Sequence, residues 1–117
     1  MEGPVYQKTI DFSVRLIGLY KELIQNKEFI ISRQLLRSGT SIGANVHEAG
    51  SAQSRKDFIS KMSIALKEAR ETKYWLIVLA GGKLINFDLT NLLDDVEELI
   101  KIISKIVISS KHNLTTK

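Results

Sequence analysis

Cysteine is absent from the chain, which removes disulfides, thiolate zinc sites and a cysteine nucleophile from consideration. A reducing, cytoplasmic setting is the expected one. Proline occurs once, at Pro4, so nothing after it forces a helix to break. Long hydrophobic runs are missing as well. No window approaches about eighteen uninterrupted apolar residues, so no membrane-spanning helix is expected. The opening MEGPVYQKTIDF lacks a basic segment followed by an apolar run, and no signal peptide is expected. Histidine is scarce. Only His47 and His112 occur, and Ala44 and Ser109 stand where a Glu-x-x-His di-iron motif needs glutamate. Gly81-Gly82-Lys83 follows a periodic segment rather than opening one, so it is not a phosphate-cradling loop. No catalytic residue, metal or cofactor is expected, and an enzyme is retained only as a residual reading.

What is there is helical periodicity. The chain of 117 residues is 44% apolar and 26% charged, the balance of one globular domain spanning residues 1–117. Its most informative stretch is Ile31 to Gly50, ISRQLLRSGTSIGANVHEAG. A small apolar stripe, Leu35, Gly39, Ile42, Val46 and Ala49, recurs at helical steps. A polar stripe, Gln34, Ser38, Ser41, Asn45 and Glu48, runs beside it at the same steps. Gly39 and Gly43 each cost about 1 kcal/mol of helix propensity relative to alanine. A helix that keeps them is expected to gain a close approach to its neighbour.

Around that stretch the pattern predicts helices over about 9–25, 28–50, 54–80 and 88–110. Residues 1–8 read as a loose leader and 112–117 as a frayed end. Thr9 is the expected first cap and Asn26-Lys27 a short turn. In the first helix Phe12, Leu16, Leu19 and Leu23 mark an inward face. Ile10, Val14, Ile17 and Ile24 widen it beyond what one groove needs, which points to a second subunit. Gly50 suits the end of the second helix. Ser54 with Asp57 forms an S-x-x-D capping box for the third. Phe58, Met62, Ala65, Ala69, Thr72, Leu76 and Leu79 make that helix's inward face, and Lys56, Ser60, Ser63, Lys67 and Arg70 its outward one. Gly81-Gly82 is the expected stop. Asp88 caps the fourth helix, Glu97 to Lys101 is an i,i+4 pair, and Lys105 and Lys111 suit the helix dipole. No alternating strand pattern appears. The fold expected is all-α, an antiparallel up-down four-helix bundle.

Three segments carry a family resemblance: RQLLRSGTSIGANVHEA (Arg33 to Ala49), SRKDFISKMSIALKEARET (Ser54 to Thr72) and YWL (Tyr74 to Leu76). They resemble the four-helix-bundle protein family encoded in 23S rRNA intervening sequences. The chain departs where that family often reads Asn-Ile-x-Glu-Gly, because Ala49 separates Glu48 from Gly50. The resemblance implies assembly as a homopentamer. The wider group includes the accessory variability determinant of diversity-generating retroelements, a basic barrel that binds a reverse transcriptase and nucleic acid. For this chain it implies self-association, RNA or DNA as a partner, and a protein partner such as a reverse transcriptase.

The net charge of +4 is uneven. Residues 1–83 hold thirteen Lys/Arg against eight Asp/Glu, and residues 84–117 hold four against five. A pentamer multiplies the charge fivefold. Arg33, Arg37, Arg55, Lys56, Lys61, Lys67, Arg70 and Lys73 are therefore candidate phosphate or partner contacts, against the plainer reading of a solvated surface. Arg33 and Arg37 lie one turn apart and call for an acidic partner, with Glu48, Glu68 and Glu71 the candidates. The polar stripe, with Glu68, Glu71 and Trp75, reads either as a structural or intersubunit seam or as a partner-binding surface. Trp75 beside Tyr74 reads as core or interface, with base stacking as the functional alternative. The function expected is a non-enzymatic oligomeric adaptor, the alternative a purely structural self-assembling protein.

Overall fold

The computed structural model describes residues 3–115, and Met1 and Glu2 of the expected leader lie outside them. Four helices account for most of the chain: α1 (Pro4–Gln25), α2 (Ile31–Ala49), α3 (Arg55–Gly82) and α4 (Thr90–Thr115). No strand occurs among the described residues. Each helix packs on the next in the chain and α4 closes back on α1, within overall extents of 53 × 22 × 22 Å. No helix among the described residues is long and apolar enough to cross a membrane.

The helix boundaries depart from the sequence reading for identifiable reasons. The leader is helical from Pro4, which sits at the first helical position with its fixed φ and no N–H to satisfy. Thr9 is not a cap. It is buried within α1, where its hydroxyl donates to the Tyr6 carbonyl at 2.7 Å. Helix α2 starts later than expected because Glu28 stays outside it and caps it. The Glu28 carboxylate accepts from the amides of Ile30, Ile31 and Ser32 at 3.1, 3.0 and 2.6 Å. Burial pushes that carboxyl up, and the combined hydrogen bonds more than offset this and hold it below the usual range. Gly81 and Gly82 are the last two residues of α3 rather than the residues that follow it. The stop falls at Lys83, which adopts the left-handed conformation at φ 52°. At the other end α4 continues beyond Ser110 to Thr115, so residues 112–115 are helical rather than frayed. Residues 116–117 lie outside the described ones.

Several local expectations hold. Ser54 accepts from the Asp57 amide at 3.0 Å, Asp88 accepts from Thr90 at 3.0 Å, and Asn26-Lys27 forms the turn, with Lys27 at φ 62°. The α2 stripe Leu35, Gly39, Ile42, Val46 and Ala49 is buried along its length. It meets Phe12, Leu16, Leu19 and Leu23 of α1, Met62, Ala65, Ala69, Leu76 and Leu79 of α3, and Leu92, Val96, Leu99 and Ile103 of α4. In α3 it is Ile59, not Phe58, that is buried; Phe58 is half-buried against the core edge. Each fully buried side chain of this size contributes roughly 1.5–3 kcal/mol through removal from water.

The close approach expected at the glycines is to α1 side chains. A Cβ on Gly39 would lie 2.0 Å from Leu16 Cδ2, and one on Gly43 would lie 3.0 Å from Thr9 Cβ. Gly50 holds the expected position at the end of α2 but is right-handed, at φ −63°. Its own reason is contact, since a Cβ there would lie 2.8 Å from the Tyr6 hydroxyl.

Ion pairs link the helices along their outer seams. Lys8 pairs with Glu98 and Arg15 with Asp95, between α1 and α4. Glu97 turns to Lys73 of α3 rather than forming the expected pair with Lys101. The Lys73 ammonium holds the Glu97 carboxyl below its usual range, with Lys101 adding a weaker attraction.

Candidate nucleic-acid and partner interface

Helix α3 turns Met62, Ala65, Ala69, Thr72, Leu76 and Leu79 inward, and its 3.6-residue period therefore sends Lys56, Ser60, Lys67, Arg70 and Tyr74 to the opposite side. All five are exposed, and Ser63 on the same stripe is half-buried. Lys56, Lys67 and Arg70 pair with no carboxylate among the described residues. Tyr74 continues the stripe one turn beyond Arg70 and is 58% exposed. Its ring meets Trp75 edge-on at a centroid distance of 5.1 Å. Trp75 itself is half-buried against the core, and its indole N–H donates to Glu71 at 3.2 Å.

The other candidate cations divide by environment. Arg33 and Arg55 are exposed, with no ion-pair partner among the described residues. Arg37 reaches across to α3, where its guanidinium donates to Glu68 at 3.1 Å and to Glu71. Those were two of its three expected partners. Arg37 holds the Glu71 carboxyl below its usual range against the opposing effect of burial, with the Trp75 N–H adding to it. The third, Glu48, instead pairs with Lys61 at 3.1 Å. Arg37, Lys61 and Lys73 are thus engaged in cross-helix pairs, and of the candidates without an ion pair, Arg55, Lys56, Lys67 and Arg70 lie on α3 and Arg33 on α2.

The polar stripe of α2 lies along the α2–α3 seam, yet it is not one continuous network. Only Ser38 is fully buried, and its hydroxyl meets that of Thr72 at 2.8 Å. Ser41 donates to the Arg37 carbonyl at 2.6 Å and Asn45 to the Ser41 carbonyl at 2.8 Å, both along their own helix. Gln34 accepts from Arg37 at 3.5 Å. These bonds satisfy polar groups locally and leave cross-helix work to Ser38, Arg37 and Glu48.

Two further features complete the surface. Ile10, Val14 and Ile17 of α1 are 44%, 63% and 41% exposed, and they line a groove with Thr40 and Ala44 of α2. His47 closes the end of that groove, its ring edge-on to Tyr6 at 4.9 Å. At one end of the molecule a cavity of about 630 Å³ brings Arg55 together with Lys105 of α4. In the sequence Lys105 stands out only as a cation near a helix end, because the signal that pairs it with Arg55 is tertiary. Among the described residues no group of three or more His, Asp or Glu side chains is placed to hold a metal ion.

The sequence pattern of the 23S rRNA-intervening sequence proteins matches residues 2–105. The chain belongs to this family. A crystal structure from Bacteroides thetaiotaomicron, of a protein of unknown function in the S23 ribosomal protein family, is similar at 48% identity. The match covers 88% of this chain and 97% of that one, with a TM-score of 0.85. No curated protein matches. Membership of the 23S rRNA-intervening sequence proteins therefore settles ancestry and a four-helix fold while leaving the activity open.

Proposed function

We propose that the chain is a non-enzymatic oligomeric adaptor that binds nucleic acid through the outward stripe of α3. The observation that carries this is the run Lys56, Lys67, Arg70 and Tyr74, exposed, free of carboxylate partners and in line on one helix. Lysine and arginine in such a row contact successive phosphates, and an exposed tyrosine offers a base a stacking face. The helices run antiparallel, up and down. In support, residue numbers rise along α1 as they fall along α4 in the pairs Lys8–Glu98 and Arg15–Asp95. Arg37 with Glu71 and Glu48 with Lys61 repeat that sense between α2 and α3.

Five copies form the working unit in this reading, placed in the cytoplasm. A homopentamer repeats the basic stripe around an axis and multiplies a net charge of +4 fivefold. The exposed Ile10, Val14 and Ile17 supply apolar surface for self-association. That same groove favours the second reading, a structural self-assembling protein, since it calls for a copy of the chain and not for nucleic acid. A protein partner such as a reverse transcriptase would share the basic surface.

A salt titration of binding to labelled RNA and DNA oligonucleotides, with the native mass fixed in the same buffer, tests the reading. Counterion release makes log K fall by roughly 0.7 log units per log salt for each single-strand phosphate neutralised. A slope of several phosphates that shrinks in Lys67→Ala/Arg70→Ala supports the adaptor. No binding at low salt overturns its nucleic-acid part.

A further inference from the structure

We infer that the cavity between the start of α3 and the end of α4 binds a phosphate monoester carried on an apolar, ring-sized body. This goes beyond the α3 stripe and does not depend on it. The cavity measures about 630 Å³, within the roughly 300–1,000 Å³ of small-molecule sites. Its lining contains two cations, Arg55 and Lys105, and no carboxylate. Neither cation has an ion-pair partner among the described residues.

The backbone adds to that charge. Ser54 caps α3 and takes the Asp57 amide at 3.0 Å, while the Phe58 amide donates to the Ser54 carbonyl at 3.0 Å. The amides of Arg55 and Lys56 are left at the helix N-terminus, the end that favours an anion. A separate observation points to a ligand. Ser110 lines the cavity at 7% exposure, and its hydroxyl has no hydrogen-bond partner among the described residues. The hydroxyl is accessible from the cavity, where a bound ligand can hydrogen-bond to it. Here the unused hydroxyl belongs to the wall that also holds Ser109 and Lys105.

Phe58 and Ile106 form the apolar part of the lining. They give an anion's organic body an apolar surface to lie on, which separates this site from a simple basic patch. A phosphate monoester on a nucleobase-sized group fits that division. The same chemistry comes from a free nucleotide or from the 5′-phosphorylated end of a nucleic acid.

Calorimetry with adenosine 5′-monophosphate and with adenosine, on the full chain, tests the site. Expected are binding of the monophosphate, at least about tenfold weaker binding of adenosine, and a similar loss in Lys105→Gln. Amide resonances of Arg55 and Lys56 should shift on titration while those of Lys67 and Arg70 stay still. Ser110→Ala, which fills no space, should weaken binding without loss of helical circular dichroism. Competition by a 5′-phosphorylated single strand against its 5′-hydroxyl twin then separates the sources. Preference for the phosphorylated strand over the mononucleotide assigns the site to nucleic-acid ends, and the reverse assigns it to free nucleotide. Equal binding of adenosine and its monophosphate, no binding of either, or an unaffected Lys105→Gln overturns the inference. The salt-dependent binding of 5′-hydroxyl strands through Lys67 and Arg70 is a separate measurement and survives any of those results.

Discussion

Ser38 of α2 and Thr72 of α3, both fully buried, hold their hydroxyls 2.8 Å apart at the centre of the α2–α3 contact. Thr72 also reaches the Glu68 carbonyl at 2.7 Å, which leaves Ser38 with only a long alternative to Leu35 at 3.4 Å. Thr72→Val keeps the shape and removes the partner. It should cost about 1–3 kcal/mol, the penalty of a buried group left unsatisfied. Ser38→Ala/Thr72→Val should cost less than the sum of the single changes, as read from urea unfolding midpoints. Additive costs would mean that the two hydroxyls are not coupled.

Acid should destabilise the fold through Glu71 and Glu28. Both carboxyls sit below their usual range in the folded chain, Glu71 chiefly through Arg37 and Glu28 through three backbone amides that outweigh its burial. A lowered folded pKa means stabilisation that is complete above the unfolded carboxylate range. It is lost as pH falls through that range and on through the folded pKa. Stability measured from about pH 6 down to about pH 3 should decline. Glu71→Gln should flatten part of the decline. Because Arg37 is half-exposed, the change at neutral pH should stay within about 1 kcal/mol.

Glu28→Ala should cost about 0.5–2 kcal/mol, the range of a lost N-cap, because the amides of Ile30, Ile31 and Ser32 lose their acceptor. Thermal unfolding monitored by circular dichroism reads it. An unchanged midpoint would show that water serves those amides equally well.

The sequence carried the helices and their inward faces plainly, because apolar spacing in α2 and α4 leaves few alternatives. It carried the α3 stripe for the same reason. A face opposite Met62, Ala65 and Ala69 must be outward, so Lys67 and Arg70 were legible as exposed cations. Boundaries were less legible. Glu28 caps α2 with a longer side chain than the usual Ser, Thr, Asp or Asn, and Lys83, not a glycine, takes the left-handed turn after α3. Pairings were least legible. Glu97 had Lys101 one turn away along its own helix, yet Lys73 on α3 offers a partner that local spacing cannot reveal. Arg55 with Lys105 is the same case, two residues fifty positions apart that meet only once α3 and α4 are packed.

Glycine positions should separate sharply. Gly39→Ala drives a Cβ to within 2.0 Å of Leu16 Cδ2 and should cost roughly 1–3 kcal/mol. Gly18→Ala meets nothing within 4 Å on an exposed part of α1 and should stabilise by about 0.5–1 kcal/mol. Denaturant midpoints of opposite sign would confirm that Gly39 is kept for packing and Gly18 is not. Equal effects would remove that distinction.

Val14 is the most exposed of the α1 groove residues at 63%, and Ile10 and Ile17 flank it one turn to either side. Inside a single chain a charge at position 14 meets only water, so Val14→Glu should leave the unfolding midpoint within about 0.5 kcal/mol. Between copies the same charge would be buried without a partner, which is costly. Native mass and sedimentation should therefore shift toward the monomer in Val14→Glu while circular dichroism stays constant. If the wild type is already monomeric, or if Val14→Glu keeps the full assembly, the α1 groove is not the surface through which copies meet. A monomeric wild type would overturn the proposed homopentamer, and an assembly kept in Val14→Glu would mean that copies meet through another face.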